Sequence, residues 1–261
     1  MSVLAADIGN AHTTLGLLDE GEVVARWRVS TDERRTSDEW AVVVRGLLAE
    51  QPEEPVGVAV CSTVPAVLHE WREMLATHFP GLGAVVVEPG VRTGVAVRTD
   101  NPREVGADRI VNALAAKERY GGPAIVVDFG ATATTFDVLD GQDRYVGGAI
   151  APGMDLALEA LGRRGAQLRK VELSRPRSVI ATNTVEALQS GLLFGVAAQV
   201  DGLVDRMVAE LGADPDEVEV VATGHLAPLV VGECARLTQH DPDLTLRGLA
   251  SVFERNEPGI A

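Results

Sequence analysis

Residues 124–140 read AIVVDFGATATTFDVLD, and this stretch decides the fold class. An apolar run ends at Asp128, small and hydroxyl residues follow Gly130, and a second apolar run ends at Asp140. The pattern predicts a buried strand, a tight turn and a second strand, with a glycine that lets the backbone approach another group closely. A carboxylate at the tip of a buried strand is costly unless it meets a cation, a proton or hydrogen-bond donors. Asp128 is therefore a candidate functional residue.

The same pattern occurs at the N-terminus, where residues 3–19 read VLAADIGNAHTTLGLLD. Without gaps, the aligned pairs are Asp7 with Asp128, Gly9 with Gly130, Thr13 with Thr134, Thr14 with Thr135, and Asp19 with Asp140. One copy alone could be a plain hairpin with a polar turn. Two copies favour a duplicated α/β protein with paired functional loops. Because Gly121-Gly122-Pro123 precedes the second copy, we expect lobes at residues 1–121 and 122–261.

Composition narrows the possible partners and location of the chain. The formal charge of -15 argues against a nucleic-acid or anionic-membrane partner, although local cationic groups can still bind small anions. Cys61 and Cys234 lack the spacing of a metal site and are expected to be reduced core residues. The first residues lead into an apparent core strand without a leader pattern, and no apolar run looks long enough to span a bilayer. We therefore expect a cytoplasmic protein.

Both Asp-x-Gly loops suit phosphate chemistry. Turn amides and threonine hydroxyls can donate to phosphate oxygens, and the aspartate can hold a hydrated metal ion that bridges phosphates. Two such loops facing each other across a cleft would bind a nucleotide. This combination resembles the actin-like (ribonuclease H-like) ATPase superfamily of acetate and sugar kinases and Hsp70-type ATPases. Residues 218–224, VEVVATG, are similar to the adenosine motif of that superfamily.

Further stretches resemble one family of this superfamily, the type III pantothenate kinases. They are residues 100–109 (DNPREVGADR), 147–153 (GGAIAPG), 183–191 (NTVEALQSG), 222–228 (ATGHLAP) and the closing residues 244–256. They run in family order over nearly the whole chain. The resemblance implies ATP-dependent phosphorylation of pantothenate, the first step of coenzyme A synthesis. It also implies a homodimer, Mg²⁺ with ATP, and a monovalent cation, potassium or ammonium.

The resemblance also implies roles for individual residues. Asp108 is the expected proton acceptor, and Asp128 is expected to bind the monovalent cation. The expected pantothenate contacts are Thr99, Gly106, Ala107, Asp108, Arg109 and Thr184. The expected ATP contacts are Asp7, Ile8, Gly9, Asn10, Ala11, His12, Thr13 and Thr14, with Ala131 and Thr132 of the second loop.

The residues themselves are compatible with the roles of Asp108 and Arg109. A guanidinium can bind the single carboxylate of pantothenate through two parallel hydrogen bonds. A carboxylate beside it, at a helix start, can orient the substrate hydroxyl and accept its proton. The alternative for this pair is helix capping with a surface ion pair, and without the family context that alternative is preferable.

The loops depart from the family pattern in several places. Ala11 and Thr99 stand where the family usually has threonine and tyrosine, and Ala181-Thr182 replaces a usual Gly-Lys pair. His225 replaces a common glycine. One residue looks inserted after Gly130, which leaves open whether Ala131 or Thr132 faces the phosphates. Two other functions therefore stay open: a non-catalytic relative that binds ligand as a regulatory or interaction protein, and a superfamily kinase that acts on another hydroxyl substrate.

Overall fold

The computed structural model describes residues 2–164 and 171–256. Its helices and strands, in chain order, are β1 (Ser2–Ile8), β2 (His12–Asp19), β3 (Glu22–Ser30), α1 (Ser37–Leu48), β4 (Gly57–Ser62), α2 (Pro65–His78), β5 (Gly83–Val86), β6 (Ala96–Val97), α3 (Ala107–Tyr120), β7 (Ala124–Phe129), β8 (Ala133–Leu139), β9 (Arg144–Pro152), α4 (Met154–Arg164), α5 (Thr184–Leu211), β10 (Glu219–Thr223), α6 (Ala227–Val230), β11 (Gln239–His240) and α7 (Leu244–Asn256). The sequence of residues 167–178, which includes Pro176, predicts an irregular segment. Part of it lies outside the described residues, and residues 171–178 contain no helix or strand.

Local sequence signals explain where several of these helices begin. Thr36 forms the N-terminal cap of α1, with Glu39 completing a capping box. Pro65 occupies the first turn of α2, where its missing N–H costs no helical hydrogen bond. Asn183 caps the long α5, its side chain accepting a hydrogen bond from the Glu186 amide at 2.9 Å.

The chain forms two compact units. Unit 1 contains Met1–Val95, Asp100–Ala115 and Asp243–Ala261, and unit 2 contains Ala96–Thr99 and Ala116–Pro242. This division differs from a boundary after residue 121 chiefly because it places α7 in unit 1. Leu246 of α7 packs on Gly16 of β2, and Phe253 packs on Gly57 of β4, where a larger residue would clash. The division into lobes at residues 1–121 and 122–261 stays a prediction about the repeat.

In unit 1 the sheet has the strand order β3-β2-β1-β4-β5. Strand β1 runs antiparallel to β2 and parallel to β4. The sheet packs against α1 and α2 to form the core of unit 1. In this core Trp40 and Trp71 are fully buried, with their ring centroids 5.4 Å apart. Apolar burial of this kind is the main source of stability for such a layer. The packed core fixes the position of β1, and therefore of Asp7 near its end.

Unit 2 repeats this arrangement. Its sheet has the order β11-β10-β7-β8-β9-β6, so that β7 to β11 take the places of β1 to β5 and the two-residue β6 is added at the edge. The registers match as well: Asp7 lies opposite Thr14, and Asp128 lies opposite Thr135. The duplication expected from the sequence is therefore confirmed in the pairing of the strands.

The length and apolar composition of helix α5 differ from the expectation that no apolar run could span a bilayer. Among the described residues it is the one helix whose length and composition would allow it to cross a membrane, although no run was expected to be long enough. Its apolar residues Leu193, Val200, Val204 and Val208 belong to the core of unit 2 beside β7 and β10. A core helix passes the same test of length and composition, and 44% of the apolar window is buried.

Candidate active site

The first loop, residues 9–11, joins β1 to β2 at the tip of the unit 1 sheet. The Gly9 amide donates to the His12 carbonyl at 3.0 Å and closes the turn, while Asn10 and Ala11 are exposed. Ile8 and Thr13 are fully buried, and the Thr13 hydroxyl lies 2.9 Å from that of Thr31. Their expected contacts with ATP could therefore come only from the backbone.

Asp7 has a neighbour that sequence reasoning missed. It is half-buried, and the Cys61 thiol donates to its Oδ1 at 3.3 Å. The parallel pairing of β1 with β4 places these two residues side by side although 54 positions separate them in sequence. Cys61 is buried, as expected, but it lies against a predicted ligand-binding carboxylate. No local sequence pattern identifies such a pair; only the register of the sheet does.

The second loop, residues 130–132, joins β7 to β8 and has the same length as the first. Within this chain the residue that looked inserted therefore creates no extra length relative to the other loop. The Ala131 carbonyl accepts from the Leu156 amide at 3.2 Å, and the Thr132 carbonyl accepts from the Gly153 amide at 2.9 Å. A trans peptide points its N–H opposite to its carbonyl, so the Thr132 amide points away from α4. Thr132 is also the exposed residue of the two.

The predicted adenosine motif lies beside the second loop. Strand β10 runs parallel to β7 with Thr223 opposite Asp128. Gly224 follows with φ of 90°, and a Cβ there would lie 2.7 Å from both the amide nitrogen and the carbonyl oxygen of Phe129, and closer still to Asp128 Oδ1. Only glycine fits this close approach without strain. The next residue, His225, is half-buried, and its Nε2 lies 3.9 Å from the Asp155 carboxylate.

Asp108 lies in the first turn of α3, in unit 1. Its carboxyl folds back over Gly106, where a Cβ would lie 2.5 Å from Asp108 Oδ1. Burial raises the pKa of Asp108 above its ordinary value, whereas the Arg109 and Asp108 backbone amides and the Arg109 guanidinium lower it. A carboxylate whose pKa is raised in this way accepts a proton more readily, which suits a catalytic base. Ala107 and Arg109 are half-buried beside it.

Two further expected pantothenate contacts belong to unit 2. Thr99 is half-buried, and its hydroxyl is enclosed without a hydrogen-bond partner among the described residues. Such a hydroxyl costs free energy unless a ligand or water satisfies it, which fits a binding role. Thr184 is exposed at the first residue of α5. The nearby Arg177 guanidinium donates to Glu186 and lowers the pKa of that carboxyl to about 2.

The donor atoms around the two strand-tip aspartates fit hard cations. Asp7 and Asp128 are both half-buried and offer carboxylate oxygens. Threonine lies opposite each of them, and Gly224 places no side chain of its own beside Asp128 Oδ1. Oxygen ligands of this kind suit Mg²⁺ and alkali cations better than softer metals.

Comparison with known proteins identifies the family. The family model described as type III pantothenate kinase matches residues 3–206. The chain belongs to the type III pantothenate kinase family. A type III pantothenate kinase of Nocardioides sp. is 69% identical over 256 residues, covering 98% of this chain and 100% of the relative. One of Streptomyces coelicolor is 57% identical over 261 residues, covering 97% of this chain and 98% of the relative.

The fold of this type III pantothenate kinase is also found in solved structures. The activator of the 2-hydroxyisocaproyl-CoA dehydratase from Clostridium difficile, solved with bound ADPNP, has a TM-score of 0.55 at 14% identity. The match covers 98% of this chain and 96% of that one. The expected duplicated actin-like α/β fold is confirmed, and kinases of this fold use ATP with a divalent metal ion. The match of the family model includes Asp7, Asp108 and Asp128.

Proposed function

We propose that this protein transfers the γ-phosphoryl group of ATP to the primary hydroxyl of pantothenate, giving 4'-phosphopantothenate in the first step of coenzyme A synthesis. The observation that carries this function is the 69% identity, over the full length of the relative, to a protein named type III pantothenate kinase. Its support in the structure is the position of Asp7 and Asp128 near the ends of β1 and β7 and of Asp108 in the first turn of α3.

In this reaction Asp108 orients the substrate hydroxyl and accepts its proton. In a loose phosphoryl transfer most of the rate enhancement comes from positioning and charge stabilisation, and the proton leaves late. In unit 1, Arg109 binds the pantothenate carboxylate, and the backbone of Gly106 and Ala107 also contacts pantothenate. In unit 2, the hydroxyls of Thr99 and Thr184 are pantothenate contacts. The enclosed, unsatisfied hydroxyl of Thr99 supports this assignment.

The two loops bind the phosphates of ATP. Residues 7–14 supply backbone amides and the exposed side chain of Asn10, and the outward-pointing Thr132 amide and hydroxyl act from the second loop. When Mg²⁺ is bound with the nucleotide it neutralises phosphate charge, and the Asp7 carboxylate would hold it. A monovalent cation, potassium or ammonium, binds at Asp128. The enzyme acts as a homodimer in the cytoplasm.

A coupled kinase assay tests this function. Purified protein with Mg²⁺, ATP and pantothenate should release ADP and form phosphopantothenate, and replacing sodium with potassium should raise the rate. The absence of turnover in both salts would overturn the proposal. Calorimetric binding of ATP and pantothenate by such an inactive protein would indicate the non-catalytic alternative instead. Turnover that does not depend on potassium would contradict only the proposed monovalent cation site, and the proposed phosphorylation would stand.

A further inference from the structure

Strand β8 carries a buried carboxylate that the proposed reaction does not yet use. Asp137 is completely buried. Its Oδ1 accepts a hydrogen bond from the Tyr145 hydroxyl at 3.0 Å, and its Oδ2 accepts one from the Thr135 hydroxyl at 3.3 Å. Burying a carboxylate is costly even when donors satisfy it. This cost suggests that Asp137 has a functional role.

The other copy of the repeat shows that the fold does not require this carboxylate. The overlay that pairs Asp7 with Asp128 places Gly16 at the position of Asp137. Gly16 lies in β2, where Leu246 of α7 covers it. The same strand in the same sheet position thus forms without a charge. The carboxylate serves something that belongs to the second copy alone.

The geometry of β8 indicates what that is. Thr135 and Asp137 are two residues apart on one strand, so their side chains share a face of the sheet. Asp128 lies directly opposite Thr135 on β7, and so it shares that face as well. A threonine hydroxyl has one proton, and here Asp137 accepts it. The remaining lone pairs of the Thr135 oxygen therefore point away from Asp137 and can coordinate a cation held at Asp128.

We propose that Asp137 is a positioning residue, which holds the Thr135 hydroxyl as an electron-pair donor to the monovalent cation at Asp128. The inference rests on the cation of the proposed function. Without Asp137 the hydroxyl can rotate and turn its proton toward the cation, which is repulsive. Groups that orient a ligand in this way typically change metal affinity by about 10- to 100-fold.

Thermal unfolding of the full chain measures this effect without relying on activity. The melting temperature is followed as KCl replaces choline chloride at constant ionic strength, with and without MgADP. A ligand that binds the folded state raises the melting temperature, and the rise becomes logarithmic in ligand concentration above the dissociation constant. A fit of melting temperature against KCl concentration therefore gives that constant, here called the KCl midpoint. Wild type should respond to KCl. Asp137→Ala should have a KCl midpoint about 10- to 100-fold higher than wild type.

Three comparisons separate positioning from a general loss of packing. Tyr145→Phe removes the hydroxyl that donates to Asp137 Oδ1, so it should lower the melting temperature while leaving the KCl midpoint within about twofold. Thr135→Val should weaken KCl binding, and Thr135→Ser should restore it. Adding Asp137→Ala to Thr135→Val should cause no further loss of KCl affinity, because Asp137 acts through that hydroxyl.

Several results would overturn the inference. One is an unchanged KCl midpoint in Asp137→Ala; another is an equal shift in Tyr145→Phe. If Asp137→Ala does not fold, equal midpoints for Thr135→Val and Thr135→Ser would decide against it. If KCl does not change the melting temperature of the wild-type protein, both the monovalent cation at Asp128 and this inference are wrong. Turnover of pantothenate by that same preparation would still support the proposed phosphorylation.

Discussion

Replacing Gly224 with alanine should damage both stability and nucleotide binding. Gly224 has φ of 90°, and adopting a left-handed backbone costs a residue with a Cβ about 1–2 kcal/mol. The new Cβ would also press on Asp128 Oδ1 and lie 2.7 Å from backbone atoms of Phe129. Overpacking of this kind typically adds about 1–3 kcal/mol. Together these terms predict a loss of about 2–5 kcal/mol in the free energy of unfolding.

Gly212 provides a matched control. It ends α5 with φ of 64°, and among the described residues no atom beyond its own and its chain neighbours lies within 4 Å of where its Cβ would be. Gly212→Ala should therefore cost only the backbone term, about 1–2 kcal/mol. Urea unfolding gives the two free energies, and calorimetry gives the ATP dissociation constants. Equal destabilisation by both substitutions, with ATP affinity unchanged in Gly224→Ala, would refute the claim that Gly224 is needed for close approach to Asp128.

Three other substitutions test the site and its support. Asp108→Asn should lower kcat by about 10²- to 10⁴-fold in a steady-state kinase assay; a near-normal rate would exclude Asp108 as the base. Because burial raises the pKa of Asp108, wild-type activity should fall with decreasing pH at a higher pH than for an ordinary aspartate. Burial disfavours the ionised form of Asp108 in the folded protein. The contribution of this group to the free energy of unfolding is therefore present at low pH and lost as pH rises through its pKa in the folded protein. At neutral pH, Asp108→Asn should accordingly be no less stable than wild type. Cys61→Ala removes the donor to Asp7 and should weaken MgATP binding in calorimetry, whereas Cys61→Ser should retain it; equal affinities would contradict the contact. Thr36→Ala should lower the free energy of unfolding by about 1 kcal/mol through loss of the α1 cap without affecting ATP binding, and an altered ATP affinity would contradict its purely structural role.

The strand tips and helix starts could be predicted because their signals are local. An apolar run that ends in Asp-x-Gly predicts where a buried strand stops, and both Asp7 and Asp128 lie there. Thr36 and Asn183 cap helices through groups three residues away, which the sequence shows directly. The gapless repeat is also matched by the common register of the two hairpins.

Contacts between distant segments could not be predicted in the same way. The pairing of Cys61 with Asp7 depends on the register of two parallel strands, which no local pattern specifies. The docking of α7 on the first sheet depends on the fit of Leu246 and Phe253 to glycine positions far away in sequence. A charged residue within the apolar run of β8 was a visible signal for Asp137, but its partner Tyr145 lies on the next strand.

The attachment of the second loop to α4 has an electrical consequence. The positive end of the α4 dipole lies at Gly153 and Leu156, whose amides donate to the loop carbonyls. A carbonyl polarised in this way withdraws electron density from its own peptide group and makes the N–H on the opposite side a stronger donor. The Thr132 amide can thus carry part of the partial charge of a helix that does not itself touch the phosphate.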